Sequence, residues 1–384
     1  MTVPSGSPPE PSAAGPRREP LEPGAVAAPE PPGPELPLTP PFGTGDGRRR
    51  LGDLSQVASA RHVRLVDGPE DGVRAVDVRV AGGVHALVVT DRGMDVGPAW
   101  FGGYPLNWQS PTGIVHPSYF QDHQWLRNFH GGLLVTAGLQ NVGPPSGADD
   151  NYQGLHGRVS NLPASNVTAI ADEDEAGIYV DVAGQVRETS VYGADLQLTR
   201  RLRFRVGHPT IEINDVVSNV GYEPAPLMIL YHFNVGHPVV DDGSRLYGPE
   251  RVTIGFDEQA RDAVQVHDHF GPPVHGAPAQ VFEHRLEGPG ADWATFGVIN
   301  EAFQPTGGMR VSITYRPSQL PRMWQWRMLA PGMYLVGIEP ANCGIRGRDV
   351  ELASGTVDVV APGDTRRFDL VVEAAHGVSL PLEP

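Results

Sequence analysis

"ADLQLTRRLRFRV", residues 194–206, decides the fold. Leu196, Leu198, Leu202, Phe204 and Val206 fall on one side of an extended chain, and Gln197, Thr199, Arg201, Arg203 and Arg205 fall on the other. Side chains alternate across a strand with period two, so this stretch reads as a half-buried strand with one dry and one wet face. The theme recurs in "VRAVDVRV" (73–80), "TIEINDVV" (210–217), "RVTIGF" (251–256), "MRVSITY" (309–315) and "RRFDLVVE" (366–373). Gly and Pro interrupt the chain between these runs, and past Arg61 no long stretch carries a helical period. The expectation is one large all-β domain over residues 61–384, built from large packed antiparallel sheets. Residues 42–60 read as a lead-in segment. Residues 1–41 hold 14 of the 39 prolines among Gly, Ala, Ser and Glu. Such a composition cannot bury enough apolar surface to offset its ordering entropy, so a disordered, dispensable tail is expected there.

The bulk numbers exclude several functions. The chain carries 29 basic and 45 acidic side chains, a net charge of −16, which disfavours binding to nucleic acid or an anionic membrane. Lysine is absent and all basic residues are arginine. Schiff-base chemistry, a P-loop lysine and a lysine general base are thereby ruled out. Cys343 is the single cysteine, so no internal disulfide or cysteine-rich metal cage forms. No apolar run is long enough to span a bilayer and no signal pattern opens the chain. A cytoplasmic protein without cofactor, monomeric or homodimeric, is the expectation.

Five stretches depart from plain alternation. In "TDRGMDVGPAWFGGYPLNWQSP" (90–111), Asp91, Arg92 and Asp95 cluster beside glycines, Trp100 and Trp108. Either they form internal pairs, or Arg92 donates to ligand hydroxyls beside aromatic platforms. In "WLRNFHGGLLVTAGLQNVG" (125–143), Arg127, Asn128 and His130 precede a Gly-Gly pair that permits close backbone approach. In "LHGRVSNLPA" (155–164), His156 and Arg158 share a face if the chain is extended. In "YHFNVGHP" (231–238), His232 follows the apolar run "PLMIL", an odd place for an imidazole. In "YLVGIEPANCGIRGR" (334–348), Glu339 directly follows an apolar strand that Pro340 closes, where partial burial raises a carboxyl pKa toward the range of a useful base. "HDHF" (267–270) has metal-compatible spacing in His267 and His269 but no evident third ligand, so no metal site is assigned.

Together, "DRGMDVG", "GGLLVTAGLQNVG", "LHGRVSNLPA", "YHFNVGHPVVDDGS", "EPANCGIRGR" and the closing "APGDTRRFDLVV" resemble the aldose 1-epimerase (galactose mutarotase-like) superfamily, and within it the DUF4432 branch, over about residues 61–375. The resemblance implies a twisted antiparallel β-supersandwich with a sugar cleft on one sheet. It implies His232 as the acid at the ring oxygen and Glu339 as the base at the anomeric hydroxyl. For hydroxyl binding it offers His156 with Arg158, and His130 in "NFHGG" as the rival. Asn234 is expected to orient the strand end, and His237 to be structural.

The functional expectation is a carbohydrate-active isomerase acting on a small-molecule sugar, most simply an aldose 1-epimerase. A sugar-binding protein without turnover, or an epimerase acting away from C1, are the alternatives. Arg92, Arg127 and Arg158, with Asp91, Asp95 and Glu339, and Trp100, Trp108, Trp324 and Trp326, are expected around the pocket. Paired charges and aromatic faces favour a neutral ring, whereas three converging arginines favour a sugar acid or phosphate.

Overall fold

The computed structural model describes residues 48–249, 251–286 and 291–377; the Pro-rich stretch 1–41 lies outside them. Alternation becomes sheet as expected: Asp195–Arg205 is a strand whose burial alternates along its first half. It sits in an eight-stranded sheet ordered Arg245–Tyr247, Ala294–Asn300, Met309–Tyr315, Thr365–His376, Thr210–Asn219, Asp195–Arg205, Gly177–Thr189 and Ser165–Asp174. A second large sheet runs Arg251–Gly255, Gln280–Leu286, Arg322–Ala330, Met333–Ala341, Ala225–Gly236 and Asp358–Val360, with Leu134–Leu139 also paired to Ala225–Gly236. A smaller meander holds five strands between Ala58 and Pro105, and its first strand, Ala58–Arg64, takes in the end of the lead-in. No helix among the described residues is long and apolar enough to cross a membrane.

The dry faces of the two large sheets meet in one core. Leu196, Leu198, Leu202 and Phe204 from the first pack with Ile229, Phe233, Val336 and Ile338 from the second, all essentially inaccessible. Each such side chain contributes roughly 1.5–3 kcal/mol through removal from water. The wet face of Asp195–Arg205 carries cross-strand ion pairs: Arg201 and Arg203 reach Asp181 at 2.8 and 2.7 Å, and Arg205 reaches Asp174 at 2.9 Å. Part-exposed pairs of this kind add little each.

Arg200 breaks the pattern. It lies on the dry face with no exposed side chain, and its guanidinium donates to Asp215 (2.7 Å), Asp95 (3.0 Å) and Thr136 Oγ1 (2.9 Å). The Tyr231 hydroxyl donates to Asp215 Oδ2 at 2.8 Å. A charge buried this deeply is tolerable only when every donor and acceptor is matched. The network ties Thr136, Asp95, Asp215 and Tyr231 together beneath the sheet that carries His232.

Candidate active site

The site grows out of three adjacent strands. Ala225–Gly236 pairs with Met333–Ala341 in a register that matches Phe233 to Ile338 and Asn234 to Gly337, so His232 stands across from Glu339. On the other side of Glu339 lies Trp324, and Gly337 faces Trp326. Directly opposed residues share a sheet face. His232, Glu339, Asn234, Gly337 and Trp326 therefore occupy the face turned away from the main core. Both key residues lie inside their strands rather than at the ends, correcting the expectation. Pro340 does not stop its strand. It pairs with Met323 on one side, and on the other the ladder lapses between Leu230–Ala341 and Phe233–Ile338, where Pro340 brings no N–H.

His232 Nε2 and Glu339 Oε1 lie 3.1 Å apart, with side chains 7% and 6% exposed. The approach is off the line of a hydrogen bond: Glu339 Oε1 has no donor, His232 Nδ1 has no partner, and Asn234 Oδ1 is also buried without one. Asn234 Nδ2 fixes the strand by donating to the His232 carbonyl (3.1 Å) and the Gly132 carbonyl (3.2 Å). Gly337 leaves the room: a Cβ there would sit 2.3 Å from Glu339 Oε1 and 3.1 Å from His232 Cε1.

Aromatic rings wall the pair. Phe129 and Trp326 meet the His232 ring edge-on at 5.4 and 5.5 Å, and the His156 ring meets it at 6.4 Å. Trp125 stacks on Phe129 at 4.7 Å and contacts His156 at 4.9 Å. Trp108 packs into the same cluster and donates its Nε1–H to the Gly332 carbonyl at 2.9 Å. Burial in this apolar surround pushes the Glu339 carboxyl up to about 8. Burial, assisted by His156, pulls His232 down to about 3, against hydrogen bonding that favours its charged form. Burial likewise lowers His156 to about 4. At neutral pH the pair thus carries one proton, held by the carboxyl beside a neutral imidazole. Moving that proton to His232 yields the imidazolium and carboxylate that acid–base chemistry on a hydroxylated ring requires.

The remaining expected residues divide. His156 joins the site and Trp326 walls it, but Arg158 does not follow His156. His156 and Gly157 adopt φ of 56° and 66°, two left-handed steps that turn the chain, so the pair shares no face. Arg158 instead donates to the Thr189 carbonyl at 2.6 Å and stands 3.7 Å from Glu188. His130 is buried with Nδ1 at 2.6 Å from the Gly131 carbonyl, and its Nε2 has no partner. Burial and the nearby Arg92 keep its pKa well below the ordinary histidine value.

Arg92 is engaged inside the fold. Its three nitrogens donate to the carbonyls of Ser160 (2.8 Å), Val115 (2.8 Å) and Asn128 (2.6 Å), pinning three loops together. Asn128 is buried on that side, contributing its carbonyl to Arg92 while its Nδ2 finds no partner. Arg127 is exposed, so the three arginines do not converge. Asp91 pairs with Arg74 and Asp95 belongs to the Arg200 network, so neither faces the pocket. Trp100 lies in the small meander against His85, Trp324 packs beside the site with Cys343, and His237 is a surface residue near Asp241. His267 lies tilted against His284 at 5.2 Å and Arg251 hydrogen-bonds both rings, at 3.4 and 3.3 Å, an arrangement that repels a cation. Among the described residues no three His, Cys, Asp or Glu converge to hold a metal.

Sequence reasoning passed over Trp125 and Phe129. The short turn Trp125–Arg127 sets Trp125 so that its ring meets that of Phe129, four residues on. Aromatic spacing in "WLRNF" carried that signal, and the polar residues between drew the reading away.

Comparison with known proteins agrees with this architecture. The family model "Domain of unknown function (DUF4432)" matches residues 70–374. A Klebsiella pneumoniae structure provisionally assigned as an aldose 1-epimerase is similar at TM-score 0.76 and 25% identity, over 83% of this chain and 84% of that one. A galactose mutarotase-like protein from Clostridium acetobutylicum is similar at TM-score 0.56 and 13% identity, over 84% and 99%. Galactose 1-epimerase from Lactobacillus acidophilus is similar at TM-score 0.51 and 11% identity, over 84% and 100%. The latter two likenesses concern the fold alone, which is galactose mutarotase-like. No curated protein matches the chain.

Proposed function

The chain belongs to the DUF4432 family, and from that premise we propose that it is a carbohydrate-active isomerase, most simply an aldose 1-epimerase interconverting sugar anomers. One observation carries the reading: His232 and Glu339 face each other at 3.1 Å across two strands, with polar atoms of both left without partners in an aromatic enclosure. Buried polar groups are nearly always matched, so an unmatched cluster marks where another molecule supplies the partners. A sugar ring does so. Its anomeric hydroxyl gives a proton to the Glu339 carboxylate while the His232 imidazolium protonates the ring oxygen. The C1–O5 bond opens, the aldehyde rotates, and reclosure on either face returns both protons. Phe129, Trp125 and Trp326 offer faces to C–H edges, and His156 offers a ring nitrogen to a hydroxyl. With Arg92, Arg127 and Arg158 engaged elsewhere or exposed, a neutral ring is favoured over a sugar phosphate or uronate.

The test is polarimetry on freshly dissolved α-anomers of neutral aldoses. Wild-type protein accelerates the approach to equilibrium for at least one sugar and Glu339→Gln does not. Full activity in Glu339→Gln, or no accelerated sugar, refutes the proposal.

One observation favours a second reading, sugar binding without turnover. His232 and Glu339 are only 6% and 5% exposed, so a sugar held at the outside of the enclosure would stop short of the acid and base. Calorimetric binding of a sugar whose anomerisation rate stays at background would select it.

A further inference from the structure

The hairpin joining Gly177–Thr189 to Asp195–Arg205 hangs Val191 and Tyr192 in solvent, 89% and 99% exposed. Beside this tip opens a hollow of 540 Å³, lined among others by Asp122, Gln140, Gln153, Arg158 and Tyr192. Small-molecule sites typically fall at about 300–1,000 Å³. The hollow is distinct from the His232–Glu339 site but shares its walls. In the segment from Asp122 to Trp125, Asp122 turns to the hollow and Trp125 to His156; in the segment from Gln153 to Arg158, His156 turns to His232 and Arg158 to the hollow.

The floor is polar and held in place. Gln140 is 5% exposed; its Nε2 donates to Glu188 Oε1 at 3.1 Å, and its Oε1 accepts no hydrogen bond among the described residues. Glu188 is fully buried and accepts from the Leu139 N–H at 2.8 Å. Arg158 uses Nη2 on the Thr189 carbonyl, while its Nε is buried without a hydrogen-bond partner. At the mouth, Asp122 and Asp149 enter no ion pair among the described residues. Carboxylates and carboxamides accept O–H donors, a guanidinium N–H donates to hydroxyl oxygen, and a tyrosine face stacks on C–H edges. Of the charged residues lining the hollow, Asp122 and Asp149 outnumber Arg158, which is drawn toward Glu188 at 3.7 Å, and Arg348 behind Asn151 is engaged with Asn151 and Asp349, so the lining favours a neutral ligand over an anion.

We infer that this hollow is a second ligand site, taking a neutral, hydroxyl-rich ring such as a sugar, separate from the site of anomerisation. The ring is either a free monosaccharide or the second unit of a linked one.

The experiment is saturation-transfer NMR and calorimetry on the full chain, with glucose, galactose, maltose, lactose, glucose 6-phosphate and glucuronate as probes. Glu339→Gln serves as background, so that loss of turnover does not affect the readout. The inference expects a neutral sugar to bind Glu339→Gln in the millimolar range or tighter. Tyr192→Ala and Asp122→Asn each weaken that binding about tenfold and leave monosaccharide anomerisation by the otherwise wild-type protein unchanged. Binding of the disaccharides alone identifies a linked ring, and equal binding of the monosaccharides a free one; both support the site. Undiminished binding in both variants, no neutral sugar bound, or tighter binding of the 6-phosphate or glucuronate overturns it. The binding readouts in Glu339→Gln do not depend on whether the protein anomerises sugars, so the two proposals fail separately.

Discussion

Tyr231 and His232 are neighbours on one strand and live in opposite worlds. Tyr231 points into the core, where its hydroxyl, Arg200, Asp95, Asp215 and Thr136 satisfy one another at 2.6–3.0 Å. His232 points outward, where its Nδ1, Glu339 Oε1 and Asn234 Oδ1 are equally buried and have no partners. Strand alternation puts the two networks back to back. The matched one holds the backbone in register; the unmatched one is where, under the proposed function, a sugar supplies the missing partners. Burial alone therefore does not mark a candidate site; what sets this one apart is that unmet atoms of His232, Glu339 and Asn234 cluster on one sheet face.

The largest effect that can break this contrast is on turnover. Glu339→Gln and His232→Asn should each lower kcat/KM for anomerisation by about 10²–10⁴-fold, the usual worth of a positioned acid or base. The double variant should lose little more than the worse single, because the two act as one unit. Additive losses in steady-state kinetics would show that they act independently.

The inner network should respond in stability instead. Arg200→Met leaves Asp95 and Asp215 buried without their counter-charge, and should cost about 3–5 kcal/mol in urea unfolding. Loss of catalysis with unchanged stability would invert the two roles.

A smaller effect has the opposite sign. Glu339 titrates at about 8 in the folded protein against an ordinary value of 4.5. Between those values the unfolded chain releases a proton that the folded chain keeps, so stability falls as pH rises. The penalty is absent below 4.5 and complete above 8. Glu339→Gln removes it, and should raise stability by on the order of 2–4 kcal/mol near pH 8 with little change at pH 4. Thermal melts across that range check the slope; an equal gain at both ends would contradict it. The smallest effect is on the wall: Phe129→Ala should weaken sugar binding by roughly 0.5–1.5 kcal/mol, read by calorimetry.

Much of the fold was legible because period-two alternation survives in the raw sequence, and the two residues of the pair could be picked out because polar groups stood in apolar runs. Their pairing came only through the family resemblance, since strand register across distant segments leaves no local trace. Pro340 looked like a strand end because a proline usually is one, yet a lapse in the ladder accommodates it inside a sheet. Arg92 reads the same in sequence whether its guanidinium meets a ligand or three loop carbonyls. His156 and Arg158 were separated by a left-handed turn that spacing cannot reveal. Arg200 was passed over: it is the one charge on the dry side of "LQLTRRLRF", but spacing does not say which acids meet it there.

The most direct measurement is the exchange rate between α and β resonances of an accepted aldose, followed by two-dimensional NMR from pH 5 to pH 9 with wild-type protein and Glu339→Gln. Chemistry that needs one proton on the His232–Glu339 pair predicts a wild-type rate that declines above about pH 8, where that proton is lost, and a variant held at background throughout. A wild-type rate that climbs through pH 8 beyond the uncatalysed reaction, or a variant that keeps the wild-type profile, would contradict the account.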